Sequence, residues 1–223
     1  MHNPCFIVPA YNHGAAAVGT LAKLSAFGLP IFLVDDGSTA ADSALLKQIA
    51  SGNALVRLVV LPVNLGKGGA VMAGLRAAHA AGFTHGMQVD ADGQHDLSVL
   101  EGFFAAGRGS PDTMVCGYPV YDESIPAGRK FGRYLTHFWV WIETLSFDVR
   151  DSMCGFRLYP LAGTCALLNE QPLPSRMNFD IEIMVRLHWR GVPMAWPYFV
   201  LNGSDQNTRP VTGSRLVAQV LGT

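Results

Sequence analysis

The sequence predicts an α/β fold, with a mainly parallel central sheet and helices on both of its faces. Three observations predict it. Short β-branched and aromatic runs alternate with longer alanine- and leucine-rich stretches, the pattern of strands and helices taking turns. The strand-like runs are apolar at nearly every position rather than at every second one, as strands buried on both faces are. Several of these runs end in a polar cluster, and in open parallel sheets ligands collect beyond the carboxyl ends of the strands.

Each element follows in order. CFIVPA (5–10) reads as a strand, AAAVGTLAKLSAF (15–27) as a helix and IFLVDD (31–36) as the second strand. ADSALLKQIA (41–50) is then a helix, VRLVVL (56–61) a strand, and KGGAVMAGLRAAHAAG (67–82) a helix closed by glycine. HGMQVDAD (85–92) is the fourth strand, LSVLEGFFAA (97–106) its helix, and TMVCGY (113–118) a further strand. From about residue 119 the pattern loosens into an Arg/Lys loop, an aromatic helix, the turn DSMCGFRLYP (151–160), a helix over 178–191 and a late strand AWPYFVL (195–201). No repeat, low-complexity tract or linker interrupts the chain, so a single domain over 1–223 is expected, with halves at about 1–118 and 119–223.

Composition narrows the function classes. With 223 residues and 49% hydrophobic content the chain can bury a sizeable core. Sixteen Lys and Arg against 17 Asp and Glu give a formal charge of -1, which supplies no electrostatic reason to bind nucleic acid. The four cysteines, Cys5, Cys116, Cys154 and Cys165, show no CxxC spacing and read as free structural thiols in a cytoplasmic protein. MHNPCFIVPAYN lacks the basic and long apolar regions of a signal peptide. The most apolar stretch, 130–147, is broken by Arg133, His137 and Glu143, so it fits peripheral contact with a membrane rather than a span.

Four strand ends carry polar chemistry: PAYN, DDGS, NLGKGG and DADGQH. One site built from all four is the economical reading. In VDADGQH, side chains of an extended chain repeat every two residues, so Asp90 and Asp92 share a face and Gln94 continues the parity. Paired carboxylates are costly alone and favourable around a hard cation, and this oxygen set suits Mg2+ or Mn2+. The bland alternative is a solvated, cap-rich turn, and for Asp96 an N-cap to the next helix is the better reading. DDGS is by itself a common turn; a carboxylate there also suits a base N–H or a ribose hydroxyl. NLGKGGA joins glycines that let backbone approach a ligand to a lysine, Lys67, able to meet phosphate. It fits neither GxxxxGK[ST] nor GxGxxG, which removes the main support for an ATPase or NAD reading.

IVPAYN, LVDDGS, NLGKGGAV, VDADGQHD and DSMCGFRLYP, in this order, make the chain similar to the family 2 glycosyltransferases, and most closely to their dolichyl-phosphate mannose synthase branch. The likeness covers roughly residues 5 to 190. It implies a GT-A fold, a nucleotide-diphospho-sugar donor (a UDP- or GDP-sugar), a divalent metal, inversion at the anomeric carbon and a place in cell-envelope glycan biosynthesis. Pro9, Tyr11 and Asn12 lie in the first of these motifs, and Pro9, Tyr11 and Asp35 or Asp36 match positions that hold the base and ribose; Asp90, Asp92 and Gln94 match those that hold the metal and diphosphate. Arg129 and Arg133 resemble basic residues near the donor and acceptor phosphates, with a solvated helix start as the alternative. His13 stands where the family pattern has an acidic residue, and the tail containing Arg209 resembles the family's final segment only loosely.

The implied acceptor is a lipid phosphate or a glycan. A hydroxyl acceptor requires a general base, for which Asp180, Glu182 and Asp151 are the candidates. A lipid phosphate is already ionised and places the demand on arginines. Phe131, Tyr134 or Leu135, Phe138, Ile142 and Leu145 form a helical stripe flanked by Trp139 and Trp141, read first as core packing and second as a membrane face. Two rival functions are a nucleotidyltransferase, which wants a basic glycine-rich loop after the first strand where this chain has PAYNHG, and a nucleotide-binding relative without turnover.

Overall fold

The computed structural model describes residues 2–91, 97–121, 140–146, 148–151, 154–201 and 208–210. Strand β1 (Pro4–Ala10) leads through helix α1 (Gly14–Ser25) to β2 (Ile31–Asp35), α2 (Ala40–Gly52), β3 (Val56–Val60), α3 (Lys67–Ala80) and β4 (His85–Gln88). A 3-10 turn over Leu97–Val99 opens α4 (Leu100–Gly109), followed by β5 (Met114–Cys116) and β6 (Tyr118–Tyr121). Residues 140–144 are helical (α5). Then come β7 (Arg157–Pro160), α6 (Leu161–Glu170), α7 (Phe179–Trp189), β8 (Met194–Ala195), β9 (Tyr198–Leu201) and β10 (Thr208–Pro210).

Among the described residues, seven strands form a sheet in the order β3-β2-β1-β4-β7-β5-β8, and β10-β9-β6 form a second sheet. The first four are mutually parallel. Strand β7 runs antiparallel to both β4 and β5. The α/β class and the mainly parallel sheet are as the sequence predicts.

Strand β1 shows why its run is apolar throughout. Cys5 and Ile7 enter the core on one face with Val71, Leu75 and Ala78 of α3 and Ile183 and Leu187 of α7. Phe6 and Val8 enter the opposite core with Leu21 and Leu24 of α1 and Phe103 of α4. Alternation on a pleated strand thus serves two cores, each burial contributing roughly 1.5–3 kcal/mol per large side chain. Glycine brings α3 down onto the sheet: a Cβ at Gly74 would lie 2.5 Å from Ile7 Cγ2.

Three local expectations are corrected. Strand β4 ends at Gln88 rather than at 92. The last residues of DSMCGFRLYP are strand β7 instead of turn, inserted between β4 and β5, where its run Arg157–Pro160 is buried throughout. The late strand over 195–201 is two strands, β8 and β9, in different sheets. In the aromatic stripe, Phe131, Tyr134, Leu135, Phe138 and Trp139 lie outside the described residues. In α5 the buried face is Val140 and Thr144, while Ile142, and Leu145 just beyond the helix, are exposed, so these two stripe positions are not core. Among the described residues, no disulfide joins any of the four cysteines, and no helix is long and apolar enough to cross a membrane.

Candidate active site

The carboxyl ends of β1, β2 and β4 and the N-terminus of α3 border a cleft of about 480 Å3. Its lining brings together Pro9, Tyr11 and His13 from the end of β1, Asp36 from the end of β2, Asn64, Gly66 and Lys67 from the start of α3, Asp90 from beyond β4, and Arg176 from the segment before α7. Parallel strands at the sheet centre put these ends side by side, which makes four distant sequence segments one surface.

At the β1 end the chain turns through Asn12, whose φ is 52°. Its side-chain oxygen accepts from the Thr39 backbone N–H at 2.9 Å, and its own N–H donates to Ser38 Oγ at 3.0 Å. Asn12 therefore ties the first strand's loop to the second's. His13 Nδ1 stands 2.6 Å from the Tyr11 carbonyl. A carbonyl only accepts, so Nδ1 carries the proton.

Asp35 and Asp36 have different work. Asp35 is buried and accepts from the Ser38 backbone N–H at 3.0 Å. Burial pushes its carboxyl up, but the hydrogen bonds from Ser38 and Ser43 and the charge of Lys47 outweigh burial and leave its pKa lowered. Asp36 lines the cleft and accepts from the N–H groups of Leu65 at 2.8 Å and Gly66 at 2.9 Å and from Asn64 Nδ2 at 3.0 Å. For Asp36 burial prevails over those bonds, and with Asp35 beside it the pKa is raised.

The glycines of NLGKGGA also serve packing. Gly66 has φ 88°, where a side chain is strained and a Cβ would lie 2.9 Å from the Ser175 carbonyl oxygen. A Cβ at Gly68 would lie 2.4 Å from Phe179 Cβ, so only glycine lets α3 meet the start of α7 there. The Gly69 N–H donates to the Ser175 carbonyl at 2.8 Å.

The charged end of the cleft is a network. Lys67 Nζ stands 2.9 Å from Asp90 Oδ2 and 4.0 Å from Asp180 Oδ2. Arg157, wholly buried, lies 3.5 Å from Asp180 Oδ1 and donates to the Asp180 carbonyl. Burial alone would lower the Lys67 pKa, but Asp90 and Asp180 outweigh it and leave it raised. Across the sheet Arg157 is paired with Gln88, whose Oε1 accepts from the Tyr159 hydroxyl at 3.0 Å. Because β7 runs against β4, its first residue arrives at the carboxyl edge where the site is. At Gly155 a Cβ would lie 3.0 Å from Lys67 Nζ and 3.8 Å from Asp90 Oδ2, so glycine keeps this corner clear.

The predicted site residues thus separate. Pro9, Tyr11, Asp36, Lys67 and Asp90 meet in the cleft. Asn12 and Asp35 are not among the lining residues and instead tie the loops beside them. Asp180 is 4.0 Å from Lys67 and is not among the lining residues. Asp151 is buried, and its Oδ1 accepts from the Cys154 N–H at 3.1 Å. Glu182 pairs with Arg186 one turn on, with nitrogens at 2.6 and 2.7 Å, away from the cleft. Asp92, Gln94, Asp96, Arg129 and Arg133 lie outside the described residues, as does the side chain of Arg209. Sequence reasoning missed Arg157, Gln88 and Arg176. The signal for Arg157 was present, since an arginine inside the apolar run FRLYP is buried only when paired.

The divalent metal suggested by the carboxylate pattern is compatible with what is described. Asp90 presents a carboxylate to the cleft with a cation already seated 2.9 Å from it, and oxygen ligands of this kind suit Mg2+ or Mn2+. Among the described residues no group of three or more His, Cys, Asp or Glu side chains gathers to hold a metal.

A sheet of this order, with its cleft at the carboxyl ends of β1, β2 and β4, is that of the GT-A glycosyltransferases. Glucosyl-3-phosphoglycerate synthase of Mycobacterium tuberculosis, in its crystal structure with Mn2+ and UDP-glucose, matches with a TM-score of 0.66 at 17% identity, over 97% of this chain and 74% of that one. Its UDP complex matches with a TM-score of 0.65 at 20% identity, over 96% and 75%. The family model for glycosyl transferase family 2 matches residues 5–174, and the chain belongs to that family. Among curated relatives, dolichyl-phosphate beta-glucosyltransferases are 28% identical in Dictyostelium discoideum and 29% in Homo sapiens, each over 213 residues, covering 85% of this chain and 63% and 64% of theirs. That of Drosophila melanogaster is 30% identical over 214 residues, covering 85% and 64%. The chain spans less than two thirds of the length of these relatives.

Proposed function

We propose that the protein is an inverting glycosyltransferase that moves a hexose from a nucleotide-diphospho-sugar, of the UDP-glucose class, to a polyprenyl-type lipid phosphate, with Mg2+ or Mn2+. The observation that carries it is the cleft itself. Among the residues lining it, Pro9, Tyr11 and Asp36 suit a base and ribose, and Asp90 with Lys67 beside it suits a metal and a diphosphate. The names of the curated relatives, and the Mn2+ and UDP held by the structural neighbour, support the same class of donor and acceptor.

The chemistry follows from charge. As the acceptor oxygen attacks the anomeric carbon, negative charge grows on the departing nucleotide diphosphate. A bound divalent ion supplies neutralisation of that charge, and Asp90, with Asp92 and Gln94, are the residues to hold it. Lys67 donates to the diphosphate oxygens, since an ammonium offers three donors. Asp36 has both oxygens engaged by the 64–66 loop, yet a carboxylate offers about four acceptor positions, which leaves room for a base N–H or a ribose hydroxyl.

An ionised acceptor agrees with the candidate bases. Asp180 is set between two cations, Asp151 accepts from the Cys154 N–H, and Glu182 is paired with Arg186. None of these three carboxylates lines the cleft, and a phosphate nucleophile has no proton for a base to remove. Leu145, 92% exposed, and Ile142, 45% exposed, support contact of α5 with a membrane surface.

The test is calorimetric titration with UDP, GDP and their sugar conjugates, with Mn2+ or Mg2+ and again with EDTA. Metal-dependent binding of UDP-glucose, with release of UDP when a polyprenyl phosphate is added, is the expected result. Release of pyrophosphate instead, or no nucleotide binding in any condition, overturns it.

A further inference from the structure

We infer that Lys67 is a resident counter-cation that holds the Asp90 carboxylate and leaves it for the donor's diphosphate when metal and nucleotide bind together. The inference rests on the donor-site reading above and adds to it a coupling between the two ligands, built into one side chain.

Lys67 Nζ lies 2.9 Å from Asp90 Oδ2 and 4.0 Å from Asp180 Oδ2, so one ammonium serves two carboxylates. A divalent ion held by Asp90 would put a second positive charge on the carboxylate that the ammonium already contacts. Two cations that close repel, and the repulsion is strong because the site is partly buried: the side chains of Lys67 and Asp90 are 24% and 27% exposed. Metal alone therefore meets competition. A diphosphate removes it, since it offers the ammonium new acceptors in the same cleft, and Lys67 lies at the first position of α3, on a flexible four-carbon stem. Gly155 leaves the space beside Nζ open, for a Cβ there would come within 3.0 Å of it. Asp180 does not lose its partner when Lys67 moves, because Arg157 stays 3.5 Å away on a buried strand. Each ligand thus raises the affinity of the other beyond their mutual chelation, and the enhancement is reciprocal.

The experiment is a four-way titration of the purified chain: MnCl2 alone and MnCl2 with UDP present, on wild type and on Lys67→Met, by calorimetry. The expected result is that Lys67→Met binds Mn2+ alone about tenfold more tightly, the scale of one removed like charge in a partly screened site, while the gain in Mn2+ affinity from UDP shrinks. Lys67→Arg keeps the charge and should bind Mn2+ alone as wild type does. If Lys67→Met binds Mn2+ alone no more tightly than wild type, or if Lys67→Arg shares the tightened affinity, the counter-cation role is overturned while the donor site stands. If wild type binds neither UDP nor GDP with Mn2+, the donor-site reading fails, and this inference with it.

Discussion

The guanidinium of Arg157 lies 3.5 Å from the Asp180 carboxylate and donates to the same residue's backbone carbonyl, so one buried cation fastens strand β7 to the first turn of helix α7. Replacing it by methionine leaves Asp180, itself 7% exposed, with Lys67 alone. Removing one partner of such a pair costs roughly 3–5 kcal/mol. At about 2–4 °C per kcal/mol for a chain of this size, Arg157→Met should lower the Tm by roughly 10 °C, and the double variant Arg157→Met with Asp180→Leu should lower it less. An unchanged Tm in Arg157→Met would show that the pair does not hold the two elements.

Gly68 and Gly19 make opposite predictions from one substitution. Alanine at Gly68 forces Phe179 and α7 away from α3 by its 2.4 Å approach, at a cost of about 1–3 kcal/mol. Alanine at Gly19, in the exposed interior of α1 with nothing within 4 Å, should stabilise by about 0.5–1 kcal/mol. Urea midpoints of the two variants check both signs at once.

His85 gives the fold a dependence on acid. Burial, with His2 beside it, lowers its pKa from 6.5 to about 4, so the folded chain keeps a neutral ring while the unfolded chain takes up a proton below 6.5. The contribution is whole above pH 6.5 and is lost as pH falls toward 4. Urea midpoints measured at intervals across that window should fall with pH, and His85→Leu should fall less steeply. Parallel curves would remove His85 from the account.

Asp36 and Arg176 separate stability from binding. Asp36→Ala strips the acceptors from Asn64, Leu65 and Gly66, so roughly 1–3 kcal/mol of stability and the nucleotide affinity should go together. Arg176 is exposed on the cleft's rim, so Arg176→Ala should leave the Tm within about 1 °C and weaken UDP binding by roughly fivefold to tenfold. Equal nucleotide affinity in wild type and Arg176→Ala would take Arg176 out of the site.

The sequence alone determined the alternation of strand and helix, the burial of the first strands on both faces and the polar clusters at their ends. These are local properties: period, β-branching and turn chemistry are written within a dozen residues. It also picked out Pro9, Tyr11, Asp36, Lys67 and Asp90, which share the cleft. That Asp36 faces the cleft and holds the 64–66 loop, while Asp35 holds the turn at Ser38, was decided by the turn after β2 and by contact with residues about thirty positions away. So were the close contacts of the NLGKGG glycines with Ser175 and Phe179. The reach of Lys67 to Asp90, 23 positions on, and the arrival of Arg157 opposite Gln88 through an antiparallel strand, belong to tertiary structure alone. An ion pair of that kind has no signature in either segment, because its geometry is set by which strands become neighbours, and strand order is fixed by the packing of the whole sheet.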